Sequence, residues 1–161
     1  MSTDANAPPS GEAPPWWAGL PEPQATCEAI ENSEVMTLLE KTFAGRKHAK
    51  RDFLLVDVRR TDWDGGTVAT SINLPAQSFF QTRPVVYQLC KQAGIERIIF
   101  YCGSSVGRGT RTARWMQDYL TEVGETGMKA IILTGGIKGW HKKFGGKLME
   151  NYDESFWVAK A

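Results

Sequence analysis

The sequence predicts an α/β fold with a central, mostly parallel sheet and helices on both faces. The prediction rests on three apolar runs, at 53–58, 97–102 and 129–134. Continuous apolar runs of this length are typical of strands that are buried on both faces. Segments with helical spacing separate them, and strands joined by helices form right-handed units within one parallel sheet. Ligands of such sheets bind beyond the carboxyl ends of the strands, which is where Cys102 lies.

The shorter elements follow from apolar spacing and from turn residues. A short edge strand is expected over 25–30, and the stretch 67–75 is expected to be extended. Helices are predicted, in chain order, over 34–44, 77–93, 108–123 and 135–144. Ser33 is the predicted N-cap of the first helix, because serine is favoured at that position. Pro84 is expected to break or restart the second helix, because proline has no N–H to donate.

Residues 1–23 are predicted to form a disordered, proline-rich arm ahead of a single catalytic domain over 24–157. The arm contains six prolines and few β-branched residues, a composition that buries too little apolar surface to fold by itself. Trp16 and Trp17 are the exception, and two hypotheses account for them: a local clamp on the domain or a partner-binding motif. A chain of 161 residues lies within the usual range for one domain.

Composition and charge exclude several classes of protein. The formal net charge is +1, whereas a general nucleic-acid binder needs a clustered basic excess. No apolar run approaches the roughly 18 residues that span a bilayer, and the first residues lack the basic and apolar regions of a secretory signal. We therefore expect no nucleic-acid partner and no membrane partner, and a cytoplasmic location, with the nucleus as an alternative.

Cys27, Cys90 and Cys102 are the three cysteines of the chain. An odd, sparse set without a CxxC pair suits neither a disulfide framework nor a zinc site. We expect a reducing compartment, no bound metal and no cofactor. Cys27 and Cys90 lie in segments predicted to be regular core elements, whereas Cys102 ends a strand.

The segment 102–108 (CGSSVGR) joins the second buried strand to a predicted helix. Its small residues and its two glycines allow the backbone to turn successive N–H groups inward. The amide donors expected to line this loop are those of Gly103, Ser104, Ser105, Val106 and Gly107. The helix that begins at Arg108 adds the positive end of its dipole. The segment therefore predicts a cradle for a tetrahedral oxyanion.

Cys102 and Arg108 are the predicted catalytic pair. Arg108 can donate in a fork to two oxygens of a phosphate group. The field of the amides, the helix and the guanidinium favours the Cys102 thiolate, which is the nucleophilic form of the side chain. The stretch from Arg97 to Gln117 contains four arginines, Arg97 included, and no acidic residue, so the local field attracts anions although the whole chain is nearly neutral.

With these motifs, the chain resembles the rhodanese superfamily over roughly residues 25–145. The matching segments, in order, are 55–59 (LVDVR), 65–66 (GG), 71–75 (SINLP), 101–102 (YC), 135–137 (GGI) and 139–140 (GW). Sulfurtransferases of this family have a loop one residue shorter than the seven residues from Cys102 to Arg108. The longer loop is similar to that of the cell-cycle dual-specificity phosphatases of rhodanese fold and of the fungal arsenate reductases. The stretch 108–111 (RGTR) is similar to the Arg-Gly-Pro-Arg sequence of that branch.

The resemblance implies a cysteine-dependent phosphatase of the protein tyrosine or dual-specificity type that acts through a phosphocysteine. Its substrate would be a phosphorylated protein or a small phosphate oxyanion. An arsenate reductase that uses glutathione and glutaredoxin is the first alternative, because arsenate mimics phosphate in the same cradle. A thiosulfate-type sulfurtransferase, which the loop length disfavours, and a non-catalytic phosphopeptide-binding module are the remaining alternatives.

The chain departs from the family pattern at three places. Tyr101 replaces the histidine that usually precedes the nucleophile, and Thr67 stands where family members often have another histidine. The loop also lacks the glutamate of the cell-cycle enzymes, so it offers no general acid for a leaving group.

Three further residues are candidates for supporting roles. Asp57 ends a buried strand, and we expect it to accept backbone N–H groups or to pair with an arginine such as Arg111 behind the loop. Asp64 lies in a turn and is the first candidate for an acid that approaches the leaving group. Asp62, in the same turn, is the second.

Overall fold

Strands and helices alternate along most of the chain in the computed structural model, which describes residues 13–45 and 50–159. The strands are β1 (Glu28–Ile30), β2 (Phe53–Asp57), β3 (Thr67–Val68), β4 (Ile72–Asn73), β5 (Arg97–Tyr101), β6 (Lys129–Leu133) and β7 (Met149–Glu150). The helices are α1 (Asn32–Ala44), α2 (Ala76–Phe79), α3 (Arg83–Ala93), α4 (Arg108–Glu122), α5 (Gly136–Phe144) and α6 (Glu154–Ala159). Within the described residues, no helix is both long and apolar enough to cross a membrane.

The central sheet has five strands in the order β1-β6-β5-β2-β4, and each neighbouring pair is parallel. β3 and β7 form a separate antiparallel ribbon, in which Val68 lies opposite Met149. The predicted central, mostly parallel sheet is confirmed, and β1 lies at its edge as expected. β5 lies between β6 and β2, so Cys102, which follows β5, emerges from the middle of the sheet.

The side chains of β5 alternate between two apolar cores, because successive residues of a strand point to opposite faces. Ile98 and Phe100 pack in the core that α3 and α4 cover, and Ile99 and Tyr101 pack in the core that α1 and α5 cover. All four side chains are completely buried. The helices therefore cover both faces of the sheet, as the sequence predicts.

The starts of α1 and α3 follow local capping chemistry, and the structure corrects the predicted N-cap of α1. α1 begins at Asn32, and Glu31 and Glu34 form a capping box in which each side chain accepts the backbone N–H of the other residue. The prediction of Ser33 as the N-cap is wrong, because this reciprocal pair satisfies the first amides of the helix from Glu31, two residues earlier. The predicted restart at Pro84 is confirmed: a 3₁₀ turn follows α2, and Pro84 lies in the first turn of α3, where its missing N–H costs no hydrogen bond.

The arm is not disordered in the part that the structure describes, residues 13–23. Trp16 packs edge-on against Trp115 of α4, with 5.8 Å between ring centroids. The indole N–H of Trp115 donates to the Pro21 carbonyl at 2.8 Å. These contacts correct the predicted disorder for residues 13–23 and agree with the clamp hypothesis, while residues 1–12 lie outside the described residues.

Asp57 and Arg59 form an ion pair beneath the end of β2, and both side chains are almost fully buried. The Arg59 guanidinium donates to both carboxylate oxygens, with its shortest contact at 2.7 Å, and also to the Gly66 carbonyl at 2.7 Å. The Thr67 hydroxyl donates to Asp57 at 2.9 Å. Asp57 thus has the structural role that was expected, but its partner is Arg59 and not Arg111, because Arg59 follows it at the end of the same strand.

We predict that Asp57→Ala lowers the free energy of unfolding by about 3–5 kcal/mol, because it leaves the Arg59 charge buried without its partner. Asp52→Ala is the matched control, since Asp52 forms an exposed pair with Arg97 at 3.6 Å and its loss is expected to cost less than about 1 kcal/mol. Urea unfolding followed by circular dichroism measures both. Equal losses in the two variants would contradict the role assigned to the buried pair.

Candidate active site

Cys102 lies directly after β5, and the loop that follows it ends where α4 begins, at Arg108. The Cys102 side chain is 3% exposed. Burial in the middle of the sheet fixes the position of the sulfur, while the residues after it turn outward. Val106, for instance, is 79% exposed.

The first turn of α5 orients the loop. The Ile137 N–H donates to the Cys102 carbonyl and the Lys138 N–H donates to the Gly103 carbonyl, both at 3.0 Å. Carbonyl and N–H point in opposite directions across a trans peptide, and the described residues contain no cis peptide. The amides of Gly103 and Ser104 therefore point away from α5 and remain available to a ligand.

Gly136 permits this close approach of α5 to the loop. Its φ is +58°, and a Cβ at this position would lie 2.5 Å from the Cys102 carbonyl oxygen. A side chain would therefore displace the loop as well as strain the backbone. The GGI segment noted in the sequence thus has a local physical reason.

Ser105 forms two hydrogen bonds with Cys102. The Ser105 N–H donates to Cys102 Sγ at 3.2 Å, and the Ser105 hydroxyl accepts the Cys102 N–H at 3.4 Å. Ser105 has a φ of +62°, so the left-handed backbone turn expected at a glycine is at this serine. Gly107 has a φ of −99° and a ψ of −89°, and Gly103 has no positive φ.

Both terminal nitrogens of Arg108 donate hydrogen bonds to the Asp62 carboxylate, at 2.8 Å and 2.6 Å. These hydrogen bonds hold the pKa of Asp62 well below its ordinary value and raise the pKa of Arg108. Asp62 is therefore ionised at neutral pH and does not hold a proton for a leaving group. Asp64, the first candidate for an acid, lines a separate cavity beside Asn151 and Phe156.

Tyr101 and Thr67, the two departures from the family histidines, contact each other. The Tyr101 phenol lies 2.7 Å from the Thr67 hydroxyl and 2.6 Å from the Ser71 hydroxyl, and it accepts the Val68 N–H at 3.1 Å. Burial raises the pKa of this phenol, so it stays protonated. The two residues form one matched hydrogen-bonded unit that supports the strand before the nucleophile.

A cavity of about 530 Å³ opens onto the loop, and the arm forms part of its wall. Its lining residues are Trp16, Trp17, Pro23, Cys102, Ser104, Val106, Gly107, Arg108, Thr110, Arg111 and Arg114. The Arg111 guanidinium lies over the Trp17 ring, 4.3 Å from its centroid, and pairs with Glu22 at 3.1 Å. Arg111 therefore faces the cavity and the arm.

The other two cysteines differ from Cys102 in their surroundings. Burial raises the pKa of the Cys27 and Cys90 thiols to about 11. Both thiols are therefore protonated at neutral pH, and neither lines the cavity at the loop. Within the described residues, no cluster of His, Cys, Asp and Glu has the arrangement of a metal site.

A model of the rhodanese-like domain matches residues 39–143. This match spans more than half of the chain and includes the whole loop. The protein belongs to the rhodanese-like domain family. The resemblance inferred from the sequence motifs is thereby confirmed, and the arm precedes the region that the family shares.

Three known proteins are similar to this rhodanese-like domain. Arsenical-resistance protein 2 of Saccharomyces cerevisiae is 28% identical over 102 residues, which are 58% of this chain and 78% of the relative. An As-Sb reductase from Leishmania major has a TM-score of 0.67 at 21% identity, over 77% of this chain and 85% of the reductase. Ygr203w, a yeast protein tyrosine phosphatase of the rhodanese family, has a TM-score of 0.68 at 19% identity, over 83% and 99%. These two structural matches show the fold.

The sequence pattern placed Cys102 and Arg108 of this rhodanese-like domain together, but it did not identify Asp62 as the partner of Arg108 or Trp17 as the partner of Arg111. Asp62 lies 46 residues away from Arg108 in the sequence, and no pattern in its turn distinguishes it from Asp64. Trp17 was noticed as an aromatic in a polar segment, and the arginines of α4 were the signal that could have placed it beside the loop.

We predict that Asp62→Asn increases the affinity for inorganic phosphate or vanadate by about three- to tenfold. The carboxylate and the oxyanion compete for the same two N–H groups of Arg108, and the amide removes the competing charge. Isothermal titration calorimetry measures the affinity. Asp64→Asn is the matched control and should leave it unchanged, whereas weaker anion binding in Asp62→Asn would show that Asp62 supports the site.

Proposed function

We propose that the protein is a cysteine-dependent phosphatase of the protein tyrosine or dual-specificity type, acting through a phosphocysteine intermediate. The observation that carries the proposal is the loop geometry: Cys102 Sγ accepts the Ser105 amide at 3.2 Å, and Arg108 begins α4 at the other end of the same loop. A nucleophile, oriented amides and a forked cation at one cavity suit a tetrahedral oxyanion.

In the first step, Cys102 attacks the phosphorus, an S–P bond forms and the P–O bond to the leaving group breaks. The charge of the transition state lies on the three other phosphate oxygens, which the loop amides and Arg108 would contact. The leaving oxygen takes its proton from water or from the phosphate monoanion, because Asp62 is ionised. In the second step, water cleaves the phosphocysteine and releases phosphate and the thiolate.

The Ser105 amide supports this chemistry at the nucleophile itself. An N–H that donates to sulfur stabilises the thiolate more than the thiol, because the donor interacts more strongly with a charged acceptor. The start of α4 adds a positive partial charge at the same place. Both effects are present before a substrate binds, so they cost no reorganisation during the reaction.

Arsenate reduction is the second candidate, and the similarity to Arsenical-resistance protein 2 favours it. Here the Cys102 thiolate would displace one arsenate oxygen as water, with a proton that arsenate itself carries. Glutathione would then attack the Cys102 sulfur, so that As(V) takes up the electron pair of the S–As bond and leaves as As(III). The resulting mixed disulfide needs a further external thiol, such as glutaredoxin, because Cys27 and Cys90 are protonated at neutral pH and neither lines the cavity at the loop.

A side-by-side assay tests the proposal. Purified protein is given an aryl phosphate, arsenate with glutathione and glutaredoxin, or thiosulfate with cyanide, and the initial rates are compared. We expect the aryl phosphate to turn over fastest, Cys102→Ser to abolish turnover, and Arg108→Lys to lower it at least tenfold, because lysine keeps the charge but loses the fork. Faster arsenate reduction would replace the proposal with the second candidate, and faster thiosulfate turnover would reject both.

The ionised Asp62 predicts how the rate depends on the leaving group. General acid catalysis typically contributes about 10²–10⁴-fold, so its absence should make a plot of log kcat/KM against leaving-group pKa fall steeply. Activated aryl phosphates should react well and phosphoserine peptides barely at all. The slope should stay steep in Asp62→Asn and in Asp64→Asn, and a shallow wild-type slope that either variant steepens would identify that aspartate as the acid.

A further inference from the structure

The part of the arm from Trp16 to Pro23 forms one wall of the cavity at Cys102. This wall is attached to α4, the helix that begins at Arg108. The Arg114 guanidinium donates to the Pro23 carbonyl at 2.9 Å and to the Ala25 carbonyl at 2.7 Å. Together with the Trp115–Pro21 hydrogen bond, these contacts hold the arm at a fixed position relative to the loop.

The two tryptophans of the arm have different surroundings. Trp16 packs against the core beneath α4 and so anchors the arm. Trp17 contacts Trp16 edge-on, with 5.5 Å between centroids, and is only partly buried. The Trp17 ring also makes a cation–π contact with the Arg111 guanidinium. Both rings line the cavity and both are partly buried, but Trp16 also packs against the core. Trp17 is therefore the tryptophan of the pair that can be changed without removing the anchor of the arm.

The charge of the cavity complements this aromatic wall. Among its described lining residues there are three arginines, Arg108, Arg111 and Arg114, and none is acidic. Arg108 belongs to the oxyanion cradle, and Arg114 is held by backbone carbonyls of the arm. Arg111 pairs with Glu22, which is not among the lining residues, and its guanidinium lies over the Trp17 ring. Guanidinium and indole planes both stack with aromatic groups.

We propose that Trp17 and Arg111 form a subsite for the aromatic leaving group of an aryl phosphate, of which phosphotyrosine is the natural class. The subsite rests on the proposed function, since it names the group attached to the phosphate that the loop would bind. The arm lies outside residues 39–143, the region matched by the family model. Trp17 is therefore contributed by a segment beyond the matched region, whereas Arg111 lies within it.

The test compares Trp17→Ala, Trp17→Leu and Trp17→Phe by steady-state kinetics with phenyl phosphate and by inhibition with vanadate. Loss of the ring should raise the KM for phenyl phosphate about tenfold in Trp17→Ala and Trp17→Leu, with a smaller change in kcat. Trp17→Phe should restore most of the affinity. The inhibition constant of vanadate, which has no aryl group, should stay within about twofold of wild type. Phe43→Ala, at an exposed aromatic on α1, is the control for removal of a ring elsewhere.

A binding experiment separates this subsite from the proposed catalytic activity. In Cys102→Ser, calorimetry compares phenyl phosphate with inorganic phosphate, and adding Trp17→Ala should abolish the preference for the aryl ester. This result would support the subsite even if the wild type hydrolysed no phosphate ester, which would by itself reject only the phosphatase. Equal weakening of both ligands by Trp17→Ala, or no effect on either, would overturn the subsite.

Discussion

Two hydrogen bonds from the start of α5 to the carbonyls of Cys102 and Gly103 determine the geometry of the loop. They turn the first two carbonyls after β5 towards a helix terminus, and planar trans peptides then point the following amides the other way. The N-terminal amides of α5, which have no partner within the helix, are satisfied by the same contacts. The first amides of α5 need acceptors outside the helix, and by taking the loop carbonyls they orient the amides of the loop.

A buried polar network below the loop fixes the position of the turn that carries Asp62, the partner of Arg108. Asp57 pairs with Arg59, and Thr67 bridges Asp57 to the Tyr101 phenol. Arg59 also extends towards the carbonyl of Asp62, at 3.4 Å. The turn that carries the Asp62 carboxylate is therefore attached to the network that supports the strand before the nucleophile. Such networks are costly to leave partly satisfied, which makes their geometry specific.

The fold and the positions of Cys102 and Arg108 at the two ends of one loop were predictable, because both depend on local patterns. Buried strands appear as apolar runs, and a cysteine at the end of one strand followed by a helix places Cys102 and Arg108 at the same edge of the sheet. The partners of charged side chains were not predictable in this way. Arg59 and Arg111 were both available to Asp57, and Asp62 and Asp64 differ by only two positions, so the outcome depended on tertiary packing. The arm was misjudged because composition measures how well a segment folds alone, and not whether Trp16 finds a core to pack against.

In the proposed function, the two halves of the cavity would divide the recognition of a phosphate ester between them. Asp62 is about half exposed, so an oxyanion that takes its place on Arg108 exchanges one bidentate pair for another, and the displaced carboxylate returns to water. The net gain from Arg108 is then modest, because exposed ion pairs contribute little. The amides of Gly103 and Ser104 have no such competitor among these contacts, whereas the Val106 N–H already donates to the Ser104 hydroxyl. The two unopposed amides would therefore supply much of the preference for a tetrahedral oxyanion. What distinguishes one ester from another must then lie outside the cradle, on the side where Trp17 and Arg111 form the wall.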